Sequence, residues 1–102
     1  MILVDAECFI AIEHRGDFIR EVKKIVPTVL REKGCTRYEL MLGISGESYH
    51  FLEQWESREH LDMHIAQPHM REYFITTAPW QSSPTRLTIY EIASTESVTM
   101  KA

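Results

Sequence analysis

No apolar run in this chain approaches the roughly 18 residues that a membrane-spanning helix needs. Positive charge is also short: 11 Lys and Arg stand against 15 Asp and Glu, a formal net charge of -4. A nucleic-acid partner would want clustered Lys and Arg and is not expected. There are only two cysteines, Cys8 and Cys35, in neither a C-x-x-C nor a zinc spacing. That usage suits free thiols in a reducing cytoplasm. Cys8 falls mid-strand on an apolar face, where it acts as a small hydrophobe rather than a nucleophile. The start, MILVDAECFIAIEHRG, lacks a basic leader and carries Asp5, Glu7 and Glu13, so it reads as a strand and not a signal peptide. Serine-histidine-acid order, a phosphate-cradling glycine loop, GxGxxG, a basic amphipathic stripe and internal repeats are all missing. The expectation is a cytoplasmic protein with neither nucleic acid nor membrane as partner.

What is present is ordinary in bulk and specific in pattern. At 102 residues, 44% hydrophobic and 25% charged, the chain fits one globular domain. A domain of this size buries roughly two thirds of its unfolded surface, so a deep private cavity is hard to enclose without a partner. Residues 2–13 alternate, with Ile2, Val4, Ala6, Cys8, Ile10 and Ile12 on one face. Residues 17–33 change to helical period through Phe18, Val22, Ile25, Val26, Val29 and Leu30. Asp17 is read as the N-cap and Gly34 as the left-handed C-cap. Pro27 should kink this helix or split it.

Alternation returns over 36–42, and GISGES (Gly43 to Ser48) has the composition of a hairpin connection to a partner strand over 49–55. Ser57 opens a second helix near 57–66, and Pro68 begins a further helical segment to about Thr77. Pro79 and Pro84 bracket a loop before a last strand over 85–93, and the tail 94–102 is polar. The order β-α-β-β-α-β predicts an α+β, ferredoxin-like fold: a four-stranded antiparallel sheet with helices on one face, over residues 1–93. Ile, Tyr, Phe and Trp on both sides of the strands suggest that the other face is covered as well, by a second subunit, giving a homodimer.

Chemistry concentrates in FLEQWESREHLDMHIAQPHMREYF, Phe51 to Phe74, which holds three of the five histidines and one of the two tryptophans. His60 and His64 lie four apart on one helix face, but no HExxH glutamate and no third ligand accompany them, so a metal site is not expected. His64 reads either as a half-buried structural histidine or as a general base. Trp55 is core or the wall of a pocket for a flat aromatic. Glu53 alternates with Tyr49, Phe51 and Trp55, so it sits at a rim or is paired inside; buried and unpaired, it would hold its proton to higher pH. His69 and Tyr73, four apart, are suited to lining a pocket, while Met70 and Phe74 look like core. His14 and His50 have no companions in sequence and read as surface.

KIVPTVLREKGCTRYE (Lys24 to Glu39) together with the Phe51–Phe74 run resembles the antibiotic-biosynthesis-monooxygenase domain family, and within it the bacterial quinol monooxygenase branch. The resemblance covers residues 1 to about 93. It implies a dimeric α/β barrel of two facing ferredoxin-like sheets, and oxygen chemistry without flavin, haem or metal. It also implies a small aromatic substrate, a hydroquinone or phenol, with dioxygen as the second. The family's EQWES tryptophan falls on Trp55, its helix histidine on His64 and its PH histidine on His69. Some tailoring members carry an asparagine where this chain has Phe51. Haem-degrading relatives carry a tryptophan at the place of His64 and an axial histidine at that of Phe74, so haem degradation is not implied. His64 is the implied base, with His69 as the other choice, and Phe51, Glu53, Trp55, His60 and Tyr73 would contact substrate. Two other classes fit the same residues: an isomerase or lyase-like enzyme of the same fold, and a non-catalytic dimeric stress protein that binds flat aromatics.

Overall fold

The computed structural model describes residues 1–46 and 48–101. Four strands and three helices follow in the order β1 (Ile2–Ile10), α1 (Arg15–Leu30), β2 (Cys35–Leu42), β3 (Tyr49–Trp55), α2 (Arg58–Ile65), α3 (Pro68–Thr77) and β4 (Gln81–Glu91), with short 3-10 turns at Ile12–His14 and Ala78–Trp80. The strands form one antiparallel sheet in the order β2-β3-β1-β4. This is the ferredoxin-like arrangement that the element order predicts.

Alternation decides which side of each central strand is buried. Ile2, Val4, Ala6, Cys8 and Ile10 of β1, and Tyr49, Phe51, Glu53 and Trp55 of β3, point under the helices. Register sets Ile2 opposite Trp55, Val4 opposite Glu53 and Ala6 opposite Phe51. Phe18, Val22, Ile25 and Val29 of α1 close the core from above.

Several boundaries differ from the sequence reading. β1 stops at Ile10, and Ile12 is 75% exposed in the 3-10 turn. The helix begins at Arg15, so His14 and not Asp17 holds the N-cap position, and Asp17 lies in the first turn. Leu30, expected on the buried stripe, is exposed. α1 runs through Pro27 as one element. The carbonyl that Pro27 leaves without its helical donor belongs to Lys23, an exposed residue, where solvent has access. Gly34 does take a positive φ of 84°, four residues past the end of α1.

β4 begins at Gln81, so Pro84 lies inside a strand and not in a loop, and the strand ends at Glu91. Two facts permit this. β4 is a sheet edge, and the pairing shifts register between Glu7↔Arg86 and Phe9↔Ser83, which sets Pro84 in a bulge. A bulge on an edge strand is where a residue without an N–H can sit in a sheet. The hairpin connection Gly43 to Ser48 joins β2 to β3 and uses a positive φ at Gly46; Glu47 within it, and Ala102 of the tail, lie outside the described residues.

Tyr38, Tyr49, Phe51 and Trp55 lie on the helix side, whereas Phe9 and Tyr90 lie on the open one. Leu3, Phe9, Met41, Leu52 and Tyr90 fall on the open face, interleaved with Asp5, Glu7, Glu39 and Arg86. That face is of mixed polarity: two of the six strand aromatics are there, and neither an Ile nor a Trp. No helix among the described residues is long and apolar enough to cross a membrane.

Candidate active site

A cavity of about 520 Å³ opens between the helix side of the sheet and α2 and α3. Ala6 and Cys8 of β1, Tyr38 of β2, Phe51 and Glu53 of β3, and Tyr73 and Phe74 of α3 contribute to its wall, and His64 of α2 enters from one side. The rings interlock: Tyr38 lies 5.2 Å from Phe51, and Tyr73 meets Phe51 edge-on at 6.3 Å. Phe74, expected in the core, is 43% exposed and belongs to the cavity wall instead.

His64 is held on three sides. Its ring lies over Trp55 at a centroid distance of 4.6 Å, Tyr38 meets it edge-on at 5.6 Å, and its Nδ1 is 2.8 Å from Oε2 of Glu32. Only 3% of it is exposed. Burial lowers its pKa from the ordinary 6.5, against the opposing pull of the Glu32 carboxylate. A neutral His64 therefore donates Nδ1–H to Glu32 and keeps Nε2 as an acceptor. Among the described residues none hydrogen-bonds that Nε2.

Glu32 is the site residue that sequence reasoning missed. It sits in the turn after α1, which the Glu32 carbonyl helps to close by accepting the Cys35 N–H at 3.2 Å. The same Oε2 also receives His69, whose Nε2 is 3.0 Å away. His69 does not reach the large cavity; it lines a second, smaller one with Glu21, Lys24, Glu72 and Tyr73.

Glu53 is buried, and Trp55 Nε1–H donates to its Oε1 at 3.0 Å. Desolvation pushes its pKa from 4.5 up to about 7; the indole hydrogen bond opposes this and the Glu32 charge adds to it. The wall thus carries a neutral imidazole and a carboxyl group that keeps its proton near neutral pH. Opposed shifts of this kind are what an acid and base pair would require. Burial likewise raises Tyr73 and Tyr38, and pushes the Cys8 and Cys35 thiols up to about 11, so both thiols stay protonated.

Of the residues singled out in the sequence, Phe51, Glu53, His64 and Tyr73 come together at the cavity. Trp55 is fully buried beneath His64 and supports it rather than lining the wall. His60 points elsewhere: its Nδ1 is 2.7 Å from Ser57 Oγ at the α2 N-cap, and its ring fills the space beside Gly34. His60 and His64 therefore do not converge, despite their spacing.

Two further histidines have companions that the sequence did not reveal. His14 stacks on Trp80 at 5.9 Å and lies 3.5 Å from Asp17. His50, on the open face, places Nδ1 2.8 Å from Asp5 and Nε2 3.3 Å from Ser48 Oγ. This is a serine-histidine-aspartate contact made across strands. However, the Ser48 hydroxyl donates to Glu7 at 3.0 Å, and neither Ser48 nor His50 lines the large cavity. The group ties β1 to β3.

Comparison with known proteins places the chain in a family and a fold. Residues 1–74 match the family described as antibiotic biosynthesis monooxygenase. The protein named probable quinol monooxygenase YgiN, from Escherichia coli K12, is 42% identical over a stretch covering 59% of this chain and 66% of that protein. The match thus spans just under two thirds of the relative's length. A conserved protein from Methanosarcina mazei Go1 superposes with a TM-score of 0.84 at 28% identity, over 87% of this chain and 89% of that one. Rv0793 from Mycobacterium tuberculosis gives 0.87 at 22% identity, over 94% and 98%, a likeness of fold alone.

Proposed function

The chain belongs to the antibiotic biosynthesis monooxygenase family, and from that premise we propose that it is a monooxygenase that oxidises a hydroquinone or phenolic aromatic with dioxygen, without flavin, haem or metal. The observation that carries the reading is the His64 imidazole: its Nδ1 faces Glu32 and its ring borders an aromatic-walled cavity. Triplet dioxygen reacts slowly with closed-shell organics, and a deprotonated hydroquinone is a much better one-electron donor. In this reading His64 Nε2 takes the hydroxyl proton, while Phe51, Tyr38 and Tyr73 enclose the ring. Glu53, protonated near neutral pH, donates to a second oxygen on the substrate. One electron passes to dioxygen, and the radical pair then combines. His64 returns its proton as water leaves. Overall a hydroquinone and dioxygen give a hydroxylated quinone and water. A dry pocket strengthens each of these interactions.

A second copy covering the open sheet face is part of the same reading. Its support is the set of apolar residues there, Leu3, Phe9, Leu52 and Tyr90, on a face without helices. The family resemblance to a dimeric barrel points the same way.

The opposed pair Glu53 and His64 also suits an isomerase that moves a proton without oxygen. Oxygen uptake against a panel of hydroquinones and polycyclic phenols, with chelator and added-metal controls, separates the readings. Enzyme-dependent uptake above autoxidation, insensitive to chelator, is the expected result. Turnover under nitrogen with no uptake in air would replace the oxygenase by the isomerase.

A further inference from the structure

Two imidazoles meet on one carboxylate oxygen. Glu32 Oε2 lies 2.8 Å from His64 Nδ1 and 3.0 Å from His69 Nε2. The side chains of His64, Glu32 and His69 are 3%, 11% and 27% exposed, so the line runs from the cavity to the surface. We propose that His69 is a positioning residue that tunes the base strength of His64 through Glu32, the two imidazoles sharing one excess proton. This rests on His64 being the base of the proposed reaction.

Charge conservation carries the argument. A carboxylate this buried is costly unless neutralised. One added proton on either histidine neutralises it; a second would put two cations within about 6 Å of each other on one anion, where they repel. His69, the member nearer solvent, is the one from which the shared proton can exchange with water. Consistent with this, charge on His69 is among the influences that lower His64. The other charged or titratable groups around His69 are Glu21 and Lys24 from α1, and Glu72 and Tyr73 from α3; Glu21 and Lys24 are paired with each other.

The proton count then closes over a turnover. As His64 Nε2 takes the substrate proton, His69 releases one to solvent from its outward nitrogen, and the cluster keeps its charge. When water leaves with the proton of His64, His69 takes one back. The cavity base therefore works without building up buried charge.

The test uses His69→Gln, which retains an N–H for Glu32 but cannot titrate. Imidazole nitrogen NMR of the free protein reads His64 directly, with no need of turnover. The expected result is an upward shift of the His64 midpoint by about 0.5–2 pH units, the range that one charge at about 6 Å gives between bulk-water and near-surface screening. Glu32→Gln should abolish the dependence of His64 on residue 69. Oxygen uptake with 1,4-naphthohydroquinone should show the acid limb moving to higher pH by the same amount. An unmoved His64 midpoint in His69→Gln overturns the proposal, as does a rate loss equal at every pH, which is the mark of a merely structural role. If the wild-type protein consumes no oxygen, the oxygenase reading fails, while the NMR titration still decides the coupling.

Discussion

The imidazole of His64 lies over the indole of Trp55, ring centroids 4.6 Å apart and planes 35° from parallel. The same tryptophan donates its N–H to Glu53. One buried ring thus contacts both the proposed base and the proposed acid. Replacing His64 with Ala should reduce oxygen uptake with a hydroquinone about 10²–10⁴-fold. Burial lowers the pKa of His64, so the acid limb of the wild-type profile should lie below pH 6.5 and vanish in the variant. Because Glu32 loses one of two partners, denaturant titration should show a loss of about 1–3 kcal/mol. Full activity in His64→Ala would remove His64 from the mechanism.

Glu53 should make stability fall with rising pH. The folded chain keeps this proton to about pH 7, whereas the unfolded chain releases it near 4.5. Between those values the folded state binds the extra proton, so its advantage is full below about 4.5 and is gone above about 7. The change is on the order of 3 kcal/mol. His64 acts with the opposite sign: its contribution is present above 6.5 and is lost as pH falls. Urea melts of Glu53→Gln across pH 4–8 should lack the first slope and retain the second. Identical slopes in wild type and variant would show that Glu53 is not buried as a neutral acid.

A second copy on the open face should be detectable as mass and breakable at its centre. Leu52 sits there, opposite Asp5 on one side and Glu39 on the other. Sedimentation should give a dimer burying about 2,000 Å² or more in total. Leu52→Arg should shift it to monomer with the fold retained by circular dichroism. A wild-type monomer at micromolar concentration would refute the dimer.

Gly34 should tolerate no side chain. Its φ is 84°, and a Cβ there would overlap the His60 ring. Gly34→Ala should destabilise by about 1–3 kcal/mol in denaturant melts. Pairing it with His60→Ala should recover part of that loss. Additive losses would mean that the contact is not the cause.

Period-two alternation is legible in the sequence, as are the starts of α2 at Ser57 and α3 at Pro68, whereas the N-cap of α1 is not, because Asp17 lies in its first turn. β3, Tyr49–Trp55, and α3, Pro68–Thr77, were legible to the residue, the first from strict alternation and the second from a proline at its first position. The sequence places the start of β4 four residues late, because Pro84 looks like a breaker until its bulge opposite β1 is known. The site was legible where it lies on regular elements, as with Phe51, Glu53, His64 and Tyr73. Glu32 was not, since it lies 32 and 37 residues from its two histidines, in an aperiodic turn. One hint was available. A carboxylate just beyond a helix C-terminus opposes the helix dipole, and so calls for a partner.

The alternation of β3 has an evolutionary corollary. Phe51, Glu53 and Trp55 face the cavity side, while His50, Leu52 and Gln54 face away. Two surfaces are therefore written by one heptapeptide, distinguished only by parity. Point substitutions can retune either surface separately, whereas losing or gaining one residue within 49–55 would exchange them, sending the acid and its aromatic neighbours outward and the open-face polar residues into the core. Divergence of this chain should proceed through substitutions in β3, with changes of length confined to its flanking connections.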